Sequence, residues 1–197
     1  MALPGWNWLP GVRRWHAHNP VIRVDWSCHA LQGAEGSWVI VDPIGSPADL
    51  GWDTAQEPVV SAIVATNGNH ERAAMDWARQ THAPLWASMR SGLALPPWRP
   101  LPPGPGWQAD WIVEDVTGGG PGEIALRIPT WDLVVFGDAV VNLAGRALEL
   151  LPDRYCTDPA RLRESLRRLV EVPFGRAVFA HGDAIEAGAS HRIAGLL

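Results

Sequence analysis

The sequence predicts an α/β protein, and three observations carry that prediction. Residues 59–65 and 132–136 are near-continuous apolar runs, the mark of strands covered on both faces. The first run stops at a polar loop, residues 66–72, which leads straight into a helical stretch at 73–80 and a short strand at 85–87. That order is a crossover unit with parallel strands. Further on, Leu162, Leu166, Leu169 and Val170 recur at i, i+4, i+7 and i+8, one face of a second helix.

Taken in order, residues 12–18 alternate loosely after a Pro/Gly-rich start and are expected at a sheet edge. His16 and His18 then share a face, either as plain surface residues or as paired metal ligands. Residues 21–29 form a second strand, and the more apolar 37–42 a third, closed by a turn at Asp42-Pro43. Residues 81–84 stop the first helix, because Pro84 cannot continue it. From 95 to 107 prolines and glycines dominate, which predicts a stiff surface connection inside one domain spanning 1–197. Strands follow at 111–116, 123–128 and 132–136, with a glycine loop at 117–122 that needs positive φ angles. Asp158 is placed to cap the second helix, with Pro159 at its first position. A last strand at 177–180 reaches His181-Gly182-Asp183, and residues 189–197 close the chain as a helix.

Hydrophobic residues at 47% and charged residues at 19% describe a globular chain able to bury a core. All 16 basic residues are Arg, and they are scattered; with a net charge of -5 this argues against nucleic acid as a partner. The densest group, Arg161, Arg163, Arg167 and Arg168, reads as a solvated helix face. Cys28 and Cys156 belong to no C-x-x-C pair, which excludes a Cys-rich zinc site and leaves two free thiols or a bridge. No apolar run reaches membrane-spanning length and the start lacks the order of a signal peptide, so a cytoplasmic protein without a membrane partner is expected. Twelve Trp are expected to fill the core, with Trp6 and Trp8 also suited to a homodimer contact.

Three polar loops each follow a buried strand: residues 66–72, Gly137-Asp138 and residues 181–183. Over nearly its whole length the chain resembles the metallo-β-lactamase superfamily. The aliphatic strand ending in Asp42 comes first, and residues 66–72 follow in the place of the family's T-H-x-H-x-D-H loop. Residues 117–125 are similar to G-H-T-P-G-S-I-A, Gly137-Asp138-Ala139 to the strand end G-D-A, and His181-Gly182 to the final His-Gly. The resemblance implies an αββα sandwich, two mixed sheets face to face with outer helices. It also implies hydrolase chemistry on a small substrate, the family spanning lactams, thioesters, lactones and phosphodiesters.

The departures fall on the ligands. Asn67 and Asn69 stand at the first two His positions, Glu71 at the Asp, Arg72 at the last His, and Gly119 at the His of G-H-T-P-G. His70 occupies a spacer position whose side chain need not face the pocket. The reading is therefore a hydrolase-like protein that has lost most di-zinc ligands, with His70, Glu71, Asp138 and His181 as candidate catalytic residues. Asn67, Asn69, Arg72 and Gly119 are the candidates for holding a small-molecule substrate. No resident metal is expected, zinc entering only at a residual single site of Asp138 and His181. Arg72 is expected to pair with Asp138 or Glu71 in place of the lost cations. The alternative is a non-catalytic module that binds a small molecule or a protein.

Overall fold

The structure, a computed structural model, describes residues 5–53, 55–56, 59–108 and 110–197; the Trp6 side chain lies outside that description. A seven-stranded sheet runs in chain order through β1 (Gly5–Leu9), β2 (Val12–Asn19), β3 (Val24–Gln32), β4 (Trp38–Val41), β5 (Val60–Ala65), β6 (Leu85–Ala87) and β7 (Trp98–Pro100). Pairing is antiparallel from β1 to β4 and parallel from β4 to β7, with α1 (Ala74–Thr81) crossing between β5 and β6. The second sheet is built from β8 (Gly104–Pro105), β9 (Ile112–Asp115), β10 (Ile124–Ile128), β11 (Leu133–Phe136) and, parallel to β11 at the far edge, β14 (Arg176–Phe179). A short ribbon of β12 (Val140–Val141) and β13 (Glu149–Leu150) lies between β11 and α2 (Pro159–Glu171), and α3 (Ala189–Ala194) follows β14.

Three apolar layers follow from the two-residue alternation of the strands. Val39, Val41, Ala62 and Val64 meet Leu126, Ile128, Val135 and Val178 between the sheets. Their neighbours Ile40, Ile63 and Ala65 turn outward under α1 and Trp77. Ala125, Val134 and Phe136 turn the other way, under Leu162, Leu166 and Leu169 of α2 and Ile193 of α3. The αββα sandwich is thus the direct consequence of sheets that are apolar on both faces. Asp158 caps α2 by accepting from the Ala160 and Arg161 N–H groups.

Two expectations change. Residues 12–18 are not an edge, because the Pro/Gly-rich start itself forms β1 and pairs with β2. The connection at 95–107 is not structureless either: it carries the edge strands β7 and β8, one to each sheet. The tryptophans go mainly to the core. Trp52 meets Trp15, Trp38 and Trp77 at ring distances of 6.3, 5.7 and 5.6 Å, and Trp8 packs on the layer between the sheets. Both cysteines are free thiols.

The sheets are stitched by hydrogen bonds at one end. Ser27 N–H of β3 donates to the Ala180 carbonyl at 2.8 Å, and Ile124 N–H donates to Thr66 O at 2.8 Å. The buried His29 ring reaches from β3 to the Phe179 carbonyl at 3.1 Å, so its Nε2 is the protonated nitrogen. Burial first, then Arg14, push this imidazole down to about 3. A folded-state value below the unfolded one of about 6.5 means that the folded protein binds fewer protons. Its contribution to stability is full above pH 6.5 and is lost as pH falls toward 3. Denaturant melts should therefore show His29 costing about 1–2 kcal/mol on going from pH 7.5 to pH 5. His29→Gln, which cannot take up the proton, should lose correspondingly less over that interval. Equal losses in both proteins would overturn the assignment.

Candidate functional site

The loop after β5 is a single 3-10 turn at Gly68–His70, and its geometry decides which residues face inward. Asn67 caps the turn by accepting from Asn69 N–H at 2.8 Å. Gly68 lies so close to the neighbouring loop that a Cβ there would sit 2.0 Å from the Ser91 carbonyl oxygen. This tight turn swings His70 inward until it is almost fully buried. Its Nδ1 lies 2.9 Å from Asp42 Oδ2 and 2.9 Å from Thr66 Oγ1. The other ring nitrogen, Nε2, lies 3.2 Å from Asp138 Oδ1.

His181 approaches the same oxygen from the end of β14. Its Nε2 is 3.1 Å from Asp138 Oδ1, while Nδ1 donates to the Asp25 carbonyl at 2.9 Å. Asp138 is aimed by its other oxygen, which accepts from Asn67 Nδ2 at 3.0 Å. His70, Asp138 and His181 are the one such group among the described residues able to hold a metal ion, their donor atoms lying within 4.8 Å of one another.

The lone pairs make this arrangement specific. Each Nδ1 faces an acceptor and must carry the ring's proton, which leaves Nε2 of a neutral imidazole as a bare lone pair. Both Nε2 atoms point at a carboxylate oxygen, so three electron-pair donors converge and need a cation or added protons between them. Zinc takes His and Asp donors at about 2.0–2.2 Å, which puts tetrahedral ligands about 3.3–3.6 Å apart. The separations of 3.2 and 3.1 Å are slightly shorter than that, at hydrogen-bond length, with all three donors within 4.8 Å of one another. Among the described residues no second such set is found.

Without a metal the protons settle as the charges dictate. Burial opposes charge on the His70 ring, yet Asp42 and then Asp138 outweigh it and hold the imidazole at about 9. Burial likewise opposes the Asp138 carboxylate, but His70 and His181 keep it well below the usual range. A further carboxyl, Glu123, lies behind Asp138. Its Oε1 accepts from the Asp138 and Ala139 N–H groups at 2.7 and 3.1 Å, and its Oε2 from Asn67 Nδ2 at 2.9 Å. Burial, followed by the charge of Asp138, pushes Glu123 up to about 8.

The structure sorts the eight candidates from the sequence. His70, Asp138, His181, Asn69 and Arg72 line one cleft of about 560 Å³. Glu71 does not join them; it is exposed beyond the 3-10 turn, because the turn directs its neighbour His70 inward instead. Asn67 is fully buried and holds Asp138 and Glu123 from below, without lining the cleft. Gly119 lies behind the cleft wall, where its carbonyl accepts from Thr157 N–H at 3.1 Å, and the lining glycine is Gly120.

The expected pairing of Arg72 with Asp138 or Glu71 is not formed. Arg72 donates to the Ser27 and Asp42 carbonyls at 3.0 and 3.2 Å and lies 4.9 Å from the centre of the Trp26 ring. Its backbone has φ 40, a left-handed conformation. His16 and His18 do not form a metal site among the described residues, being taken by Ser27 Oγ at 2.7 Å and Asp25 Oδ1 at 2.8 Å.

Sequence reasoning missed the inward turn of His70, Asp42 as its partner, and Glu123. The signal for Glu123 is its company: a lone carboxyl after three glycines and Pro121-Gly122, facing Gly137 in space. A Cβ on Gly137 would lie 2.4 Å from Glu123 Oε1 and 2.6 Å from Thr66 Oγ1. Gly137→Ala is thus expected to destabilise the protein by about 1–3 kcal/mol, the usual cost of overpacking. Pairing it with Glu123→Ala should recover part of that loss in a denaturant double-mutant cycle, whereas strict additivity would show that the two side chains do not meet.

No protein-family model and no curated protein sequence matches the chain. Solved structures do. A β-lactamase domain protein from Burkholderia ambifaria superposes with a TM-score of 0.71 at 20% identity, over 98% of this chain and 71% of that one. A metallo-β-lactamase from Pontibacter korlensis gives 0.77 at 13% identity, over 98% of each chain. The metallo-β-lactamase FIM-1 from Pseudomonas aeruginosa, in its mono-zinc form, gives 0.74 at 14% identity, over 100% of this chain and 95% of that one. With the layer order, the strand-end loops and these superpositions in agreement, the chain is a metallo-β-lactamase-fold protein.

Proposed function

We propose that this protein is a hydrolase working with one divalent ion, zinc by donor type, held by His70 Nε2, Asp138 Oδ1 and His181 Nε2. The observation that carries the reading is the convergence of those three donors while both Nδ1 atoms are tied back, to Asp42 and to the Asp25 carbonyl. Three protein ligands with one side left open is the pattern of a catalytic zinc site, and partners on the outer ring nitrogens are what orient such ligands. When bound there, such an ion would supply Lewis acidity.

The chain's own groups do the rest. Asp42 and Thr66 fix the His70 ring, and Asn67 fixes Asp138. Trp26 closes the wall beside Arg72, which keeps a positive charge near the reacting end. Asn69 at the rim offers an amide to a polar group of the substrate.

A second reading has its own support. His70 lies between Asp42 and Asp138, so a protonated ring can donate to both carboxylates with no metal at all, as a binding module would require. Zinc titration of EDTA-treated protein separates the two. The hydrolase reading expects one equivalent per chain, lost in His181→Ala. Asp42→Asn, which only loosens the ring, should weaken zinc about 10–100-fold. Uptake of two equivalents, or of none, would sink it. With one equivalent bound, a panel of esters, thioesters and lactones should show zinc-dependent turnover that Asp138→Ala abolishes; zinc uptake without turnover of any of them would favour the binding module.

A further inference from the structure

We infer that the cleft beside His70, Asp138 and His181 binds a small amphiphile with one anionic head group, a carboxylate or a phosphate monoester, and an apolar chain. The inference rests on the preceding reading only in treating that molecule as substrate or product.

The charge distribution is the first argument. The protein as a whole carries a net charge of -5, yet four arginines line this one cleft: Arg23, Arg72, Arg146 and Arg154. Against them stand two acids, Asp138, which is engaged by both histidines, and Glu149. Elsewhere on the surface five arginines are matched with carboxylates, Arg79 with Asp76, Arg90 with Asp115, Arg161 with Asp158, Arg163 with Asp153 and Arg168 with Glu164, whereas Arg99 and Arg192 make no ion pair among the described residues and Arg167 donates to Leu197 O. Arg23, Arg146 and Arg154 are exposed and make no ion pair among the described residues. Three of the exposed arginines without an ion pair among the described residues thus gather around one opening.

Their placement is the second argument. Arg23 stands on the turn between β2 and β3, whereas Arg146 and Arg154 come from the segment between β12 and α2, so the charges enter from different elements. Arg154 lies over the Tyr155 ring, 4.7 Å from its centre. Cations around a concave, partly apolar opening focus the field on it and draw in anions. The adjoining hollow, which shares Arg23 and Arg146, contains Asp25 and Asp183, and Asp25 is already bonded to His18.

The third argument is the apolar wall. Ile22, Val24, Trp26, Leu143, Leu151 and Tyr155 all line the cleft. Ile22 and Tyr155 are 54% and 61% exposed, although side chains of this kind gain by burial. An aliphatic chain laid between them would cover surface that the fold leaves open, with its head group at the arginines. A cationic ligand would meet the three unmatched arginines, and a neutral one would leave them unused.

The test is calorimetric titration of EDTA-treated protein at low ionic strength with octanoate, octyl phosphate, octanamide and octylammonium. At least one of the two anions should bind one to one and at least tenfold more tightly than octanamide, and octylammonium should not bind. The tighter of the two anions identifies the head group. The triple variant Arg23→Ser, Arg146→Ser, Arg154→Ser alters only exposed side chains. It should lose at least tenfold in affinity for that anion and keep its affinity for octanamide. Octanamide binding as tightly as the anions, no saturable binding of either anion, or an unchanged triple variant would each overturn the inference. Because metal is absent throughout, failure here leaves the zinc titration standing, and failure of the zinc titration leaves this result standing.

Discussion

One buried carboxylate organises the site. Asp42 ends β4 in a left-handed conformation, φ 51, that costs about 1–3 kcal/mol and is held by what surrounds it. Its Oδ1 accepts from Thr66 N–H at 2.9 Å, and its Oδ2 from the Thr66 hydroxyl at 2.6 Å and His70 at 2.9 Å. Its carbonyl takes a bond from Arg72. Burial opposes the charge, but His70 leads the contacts that keep this carboxyl below its ordinary value. The end of β5, the imidazole and the guanidinium are all positioned from this one residue. Without it, His70 would have no reason to present Nε2 to Asp138.

The second constraint is where the sheets are joined. His181 can meet Asp138 because β14 is parallel to β11 and both strands end at the same level, Phe179 opposite Phe136. The Ser27–Ala180 backbone bond and the His29–Phe179 bond then hold the end of β14 against β3. This brings the Asp25 carbonyl within reach of His181 Nδ1. The first sheet supplies one histidine and the orientation of both; the second supplies the other histidine and the aspartate. The site therefore depends on the layers being in register.

The fold was legible because it rests on patterns that a single chain carries in order. The apolar runs that become β5 and β11, the capped helix α2 and the strand ends at Asp42, Asp138 and His181 are visible in the sequence, and so is their sequence order. The site was legible at its rigid ends, Asp138 and His181, and His70 was a candidate as well, although nothing in its loop position showed that the side chain turns inward. Within residues 67–72 motif position is a poor guide. One 3-10 turn, capped by the very asparagine that stands at a ligand position, exchanges the roles of neighbours and turns His70 in where Glu71 had been expected. β1 was missed for a related reason: its pairing with β2 is set by the register of a hairpin and a bulge, not by composition. Glu123 was hidden because what makes room for it is the absence of side chains at Gly120 and Gly137, which only proximity in space reveals.

On the proposed reading, the residues around the trio favour a single ion. A second ion would lie about 3.5–4 Å from the first in a two-metal site, and it would need donors of its own. Asn67 spends its amide on Asp138 and Glu123, and Gly119 has no side chain to offer. Arg72 adds a fixed obstacle, since its charge already acts on Asp42, Asp138 and His70. A single positive charge and a dication about 5 Å apart repel by roughly 6–7 kcal/mol at an effective dielectric near 20. The Asp42 and Asp138 carboxylates, both held below the ordinary range, offset part of that repulsion, whereas Glu123 is pushed up by burial. The guanidinium, held over Trp26 by two carbonyls, keeps a positive charge beside the trio.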